Sequence, residues 1–199
     1  MGKHELPGIE LVQASLNEIP GGSILNALID EFPPVQMHKA ARVFQLILDI
    51  LGDSESELLA RVRSDPRIAR LMWDTAHAAA RAEMDAKFQA LARVASPGVQ
   101  DTARVDEARY LVGVVAQLEP IHVRVLHAME AADLPRDKGL NIAQELKISN
   151  GLAEAICGDL LRLALIETTG MSFRSLHNSG RLADLGRDIL RVLRNPDGP

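Results

Sequence analysis

At 199 residues, with 47% hydrophobic and 25% charged side chains, the chain is long enough for one large domain or two small ones with a sizeable core. A formal net charge of −5 argues against binding of polyanions through bulk charge, and an aromatic content of 3% argues against a base-stacking platform for single strands. The single cysteine, Cys157, rules out an internal disulfide and suits a reducing, cytoplasmic setting.

No run of about eighteen apolar residues is present, so neither a transmembrane helix nor a membrane partner is expected. Met1 to Pro7 is too polar to read as a signal peptide. Glu10 to Glu18 reads as a short amphipathic helix through Ile9, Val12 and Leu16, stopped by Pro20-Gly21-Gly22. That glycine pair lacks a preceding strand and a following Gly-Lys-Ser/Thr, so no nucleotide cradle is expected. Ser23 caps a brief helix carrying Ile24, Leu25, Leu28 and Ile29, which Phe32-Pro33-Pro34 ends. The acidic end of this piece, Asp30-Glu31, favours docking on the body over a membrane surface.

Val35 to Leu51 has helical spacing, with Met37, Ala41, Phe44, Leu48 and Leu51 on one side and Val43, Ile47 and Ile50 widening the stripe. So wide a stripe implies burial on more than one side, and Gly52 closes the helix. Ser54-Glu-Ser-Glu57 matches a capping box, followed by Leu58, Leu59 and Val62. Asp65-Pro66 opens the next helix, with Asp as N-cap and Pro in the first turn. From there the pattern predicts one long spine helix to about Ala95, through Ile68, Leu71, Met72, Thr75 and Ala79, then Met84, Phe88, Leu91 and Ala92. Its many alanines leave it slender, so neighbours can approach closely. Ser96-Pro97-Gly98 is expected to stop it and to mark the boundary between residues 1–98, a helical domain, and residues 99–199.

Asp101 or Thr102 then caps a linking helix with Val105, Ala108, Val112 and Val115. Pro120 opens a helix bearing Ile121, Val125, Leu126 and Met129, and the chain breaks at 133–139. A short helix over 141–147 buries Ile142 and Leu146; Ser149 or Asn150 caps the next one, which buries Leu152, Ile156, Leu160 and Leu163. Ala164 to Thr169 and Ser172 to Leu176 read as two short strands around Gly170. A closing helix buries Leu182, Leu185, Ile189 and Leu193. The fold class is therefore mainly α: an N-terminal helical bundle with a long spine helix, then a C-terminal module with a small β-hairpin.

Three runs, Ile-Ala-Gln-Glu-Leu-Lys-Ile-Ser-Asn (142–150), Leu-Leu-Arg-Leu-Ala-Leu-Ile-Glu (160–167) and Leu-Ala-Asp-Leu-Gly-Arg (182–187), resemble the winged helix-turn-helix superfamily in its MarR-like layout. The resemblance covers roughly the last two-fifths of the chain and implies a third helix able to enter a major groove beside a backbone-touching wing. Residues implied for nucleic-acid or partner contact are Lys147, Ser149, Asn150, Arg162, Arg174, His177 and Arg181. Charge works against DNA: Glu119 to Pro199 holds ten Lys/Arg and eleven Asp/Glu, a net of −1, whereas phosphate neutralisation needs a basic face.

Chemistry is sparse. Asp74 and His77 share a helix face but lack a second ligand set, so no metal site is expected. His122 and His127 lie five apart and face differently; His4, His38 and His177 have no sequence-local ligand set; Cys157 reads as a small core residue; there is no Gly-x-Ser-x-Gly elbow. Arg61, Arg63, Arg67 and Arg70 with Asp65, Glu55 and Glu57 read as a salt-bridged corner. The expectation is a non-enzymatic interaction protein without cofactor, binding a protein partner or a second copy of itself. The alternatives are a DNA-binding regulator, or a small-molecule sensor or enzyme using the helical half.

Overall fold

The computed structural model of the chain describes residues 34–132, 141–168 and 180–194. The two helices expected before residue 33 lie outside them, as does the break at 133–139. Among the described residues the protein is mainly helical, with one small two-stranded antiparallel sheet. The chain divides into two compact units, Met1–Ala116 and Gln117–Pro199.

The first unit begins with α1 (Pro34–Leu51) and α2 (Glu55–Ser64). Gly52, at φ +68°, takes the left-handed conformation that glycine tolerates and donates its N–H to Leu48 O at 2.8 Å, closing α1. The buried face of α1 centres on Ala40, Val43, Ile47 and Leu48; Phe44 and Leu51 are only half-buried and Ile50 is 46% exposed, so the expected stripe is rotated. Ser54 forms the full capping box: its hydroxyl accepts from Glu57 N–H, and its own N–H donates to the Glu57 carboxylate at 2.7 Å. Asp65 ends α2 and caps α3 (Pro66–Ala80) by accepting from Arg67 N–H at 2.8 Å.

The single spine helix expected over 66–95 is two helices. After α3 the chain opens at Arg81–Met84, and α4 (Asp85–Gln100) follows. No glycine or proline marks this break; packing imposes it. α4 lies against both α1 and α3, which buries Phe88, Leu91 and Ala92, and a continuous helix would lose that contact. Side chains of α1 hold the opened turn: Lys39 Nζ donates to Ala82 O at 2.7 Å, and Arg42 pairs with Asp85 at 2.8 Å. Of the alanines expected to let neighbours approach, Ala76, Ala78, Ala79, Ala80 and Ala82 are buried, whereas Ala86, in the first turn of α4, is exposed; Ala90, Ala92 and Ala95 are buried further along α4.

Nor does Ser96-Pro97-Gly98 stop the helix, as α4 runs through Pro97 to Gln100. Gly98 is there for space. A Cβ at that position would sit 2.6 Å from Ala108 Cβ and 2.8 Å from Leu71 Cδ2. Asp101 caps a 3-10 turn (Thr102–Arg104) that leads into α5 (Val105–Gln117), whose Val105, Ala108, Val112, Val114 and Val115 are buried.

The second unit is built on α6 (Pro120–Ala132), which contributes Val125, Leu126 and Met129 to its core. Against α6 pack α7 (Ile142–Leu146), α8 (Asn150–Arg162), β2 (Gly180–Leu182) and α9 (Asp184–Arg194). β1 (Ile166–Thr168) pairs with β2 in the register Ile166–Leu182, Glu167–Arg181 and Thr168–Gly180. The second strand expected at 172–176 lies outside the described residues. The partner of β1 is 180–182, so Leu182 is a strand residue and not the start of the last helix.

Candidate functional site

The helix–turn–helix and hairpin of the second unit carry the candidate residues. Asn141 caps α7, its Oδ1 accepting from Gln144 N–H at 3.1 Å. Lys147 takes the left-handed conformation at φ 55°, and the Ile148 N–H returns to Ala143 O at 3.0 Å. Ser149, and not Asn150, then caps α8, its hydroxyl accepting from Leu152 N–H at 3.2 Å. The turn is thus Lys147–Ser149.

α8 buries Ala153, Ile156, Cys157 and Leu160. Its outer face presents Asn150, Gly151, Leu152, Ala155, Asp159 and Arg162. Leu152, expected in the core, is 48% exposed. The inward stripe runs through Ala153, and its neighbour Leu152 sits about one hundred degrees round the helix on the other side. Cβ positions at Gly151 and Gly158 meet nothing within 4 Å, so this face is low and open.

The cations are mostly engaged. Arg162 donates to Gln117 Oε1 at 3.1 Å and lies 3.6 Å from Asp159. Arg181 donates to Glu167, its cross-strand neighbour, at 2.7 Å. Lys147 is exposed and makes no ion pair with another described residue. Arg174 and His177 lie outside the described residues. The structure therefore brings Lys147 and Ser149 to the turn, and places Asn150 at the first position of α8 and Arg162 at its far end. Arg181 is on the strand.

At the foot of α8, His122 accepts the Glu119 N–H on Nδ1 at 3.0 Å, and its Nε2 lies 3.8 Å from Asp159. The spacing of Gly151, Leu152, Ala155 and Gly158 is the sequence signal for the open face, and placing Leu152 inside hides it.

Other candidates have structural partners. Burial pushes the Cys157 thiol up to about 11, with Glu154 adding to the shift, so it remains a protonated core group at neutral pH. The Asp74 carboxylate is held by Arg70 at 3.1 Å and Arg109 at 3.0 Å, and His77 packs edge-on against Trp73. In the arginine corner, Arg61 pairs with Asp53 and Arg67 with Asp65. Among the described residues no group of three His, Cys, Asp or Glu could hold a metal ion. Nor is any described helix long and apolar enough to cross a membrane. In the first unit an open groove of about 540 Å³ is lined by His38, Lys39, Arg42, Glu83, Asp85 and Phe88. Its cations are committed to Ala82 O and Asp85, and Arg42 also covers the Phe88 ring at 5.0 Å.

No protein-family model, no curated protein and no solved structure matches the chain.

Proposed function

We propose that the chain is a non-enzymatic helical interaction protein whose winged-helix-like C-terminal unit docks protein, a second copy of the chain included, in place of DNA. One observation carries this reading. The outer face of α8, where a DNA reader would present base-reading and phosphate-binding side chains, offers Gly151, Leu152 and Ala155 between Asn150 at its start and the acid Asp159, and its arginine is engaged by Gln117 and Asp159. A half-exposed leucine flanked by small residues suits apolar contact with another protein.

Light scattering on the full chain, with Leu152→Lys beside it, tests the self-association arm. The variant is expected to fold normally, because the side chain is already exposed, and to weaken association. Retardation of sheared DNA by micromolar protein at low salt would overturn the reading. The second reading, a DNA-binding regulator, is favoured by the three-residue turn between α7 and α8 followed by the β1–β2 hairpin. It predicts that retardation, with a strong salt dependence.

A further inference from the structure

We propose that Lys87 is a buried pin that fixes the end of α5 at the point where the chain leaves the first unit. Lys87 stands in the first turn of α4 and is 3% exposed. Both circumstances oppose an ammonium: burial removes its water, and the first turn of a helix carries partial positive charge. Its Nζ reaches across 29 positions in sequence to donate to Ala116 O at 2.9 Å.

That carbonyl has a particular need. In an unbroken helix Ala116 O would accept from the N–H of the residue four positions on. That residue is Pro120, which has none. α5 has no left-handed closing residue, and no basic side chain of its own in its last turn. Lys87 supplies both the missing donor and the cation that the end of a helix favours. The device lets α5 stop and α6 begin with only Leu118 and Glu119 between them. The boundary between the two units, Ala116/Gln117, falls on the pinned residue. A buried charge is a poor source of stability but a good source of a fixed position, since an ammonium held inside is costly to withdraw from its acceptors.

Deuterium exchange of the full chain, read peptide by peptide, tests the pin. Lys87→Met keeps the side chain's length and removes its donor. Exchange across residues 114–118 is expected to rise about tenfold or more while 91–94 keeps its protection. Pro120→Ala restores an N–H four residues beyond Ala116. Lys87→Met/Pro120→Ala should therefore return to within about threefold of Pro120→Ala alone. The proposal is overturned if Lys87→Met exchanges like the parent, or if the second substitution does not restore protection. Should Lys87→Met fail to fold, the double variant decides: folded supports the pin, unfolded overturns it.

Discussion

Gly186 shows how much a single missing side chain can matter. A Cβ there would lie 2.1 Å from Leu165 O and 3.0 Å from Leu165 C, against backbone that cannot turn aside. The start of α9 therefore rides directly on the chain entering β1. Gly186→Ala should destabilise the second unit by more than about 2 kcal/mol, read as a lower urea midpoint. Ala164 presents the opposite case. It holds φ +57° just past α8, where the Leu165 N–H returns to Leu160 O at 2.9 Å, and it is exposed. Alanine is strained in this conformation and glycine is not, so Ala164→Gly should stabilise by roughly 0.5–1 kcal/mol. The Leu-Gly dipeptide at 185–186 is visible in the sequence, but nothing local there reveals an approaching backbone. The demand on Gly186 comes from a contact with a residue about twenty positions earlier.

Among the elements, legibility follows where the cause lies. Caps are local, and the sequence shows them: Ser54 with Glu57 and Asp65 with Pro66 cap through their side chains, Gly52 closes α1 through its tolerance of positive φ, and Ser149 is one of the two residues the sequence offers at the start of α8. Ser54→Ala removes an acceptor used by Glu57 N–H and should cost about 1 kcal/mol, measurable as a fall in the melting temperature. The break at Arg81–Met84 has a distant cause. Those four residues are compatible with a helix, and α1 ends it there by offering Lys39 and Arg42 to the opened turn and an apolar bed to Phe88. Pro97 and Gly98 mislead for the same reason. They punctuate a chain in isolation, yet here the glycine admits Ala108 and Leu71 and the helix continues. At the candidate site the sequence shows a turn, expected over Ile148 to Gly151 with Ser149 or Asn150 as the cap; the turn lies at Lys147–Ser149, Ser149 is the cap, and Asn150 and Gly151 belong to α8. The facing of Leu152 is not readable from sequence. The apolar residues of α8 fit two neighbouring rotations of the helix, one carrying Leu152 inward and one carrying Ala153, with Ile156 and Leu160 buried in both. Tertiary packing selects the rotation through Ala153.

At the scale of the whole molecule, four described groups whose pKa values folding lowers, His127, Glu57, Asp65 and Asp184, push in one direction. Burial, then the charge of Arg194, lowers the His127 pKa below its ordinary 6.5, against the weaker opposing pull of Glu130. Arg194, on the last turn of α9, contacts both His127 and Glu130 of α6, so this cluster ties the end of the described chain to the central helix of its unit. Glu57, Asp65 and Asp184 are also lowered, the first by its hydrogen bonds with Ser54, the others by hydrogen bonds from Arg67 and Arg187. In each case the unfolded chain binds protons more readily than the folded one, so stability falls on acidification. For His127 the folded state is favoured fully above pH 6.5, and that advantage is lost as pH drops through the lower folded value. The carboxylates follow below their ordinary 4.5 and 3.8. Two stages of acid destabilisation are expected, and His127→Gln separates them. Urea midpoints measured from about pH 8 to about pH 3 should show the variant losing the upper stage and keeping the lower one. A variant that tracks the parent through the upper stage would remove His127 as its source, and would leave the Arg194–Glu130 pair as a tie indifferent to its neighbour's charge.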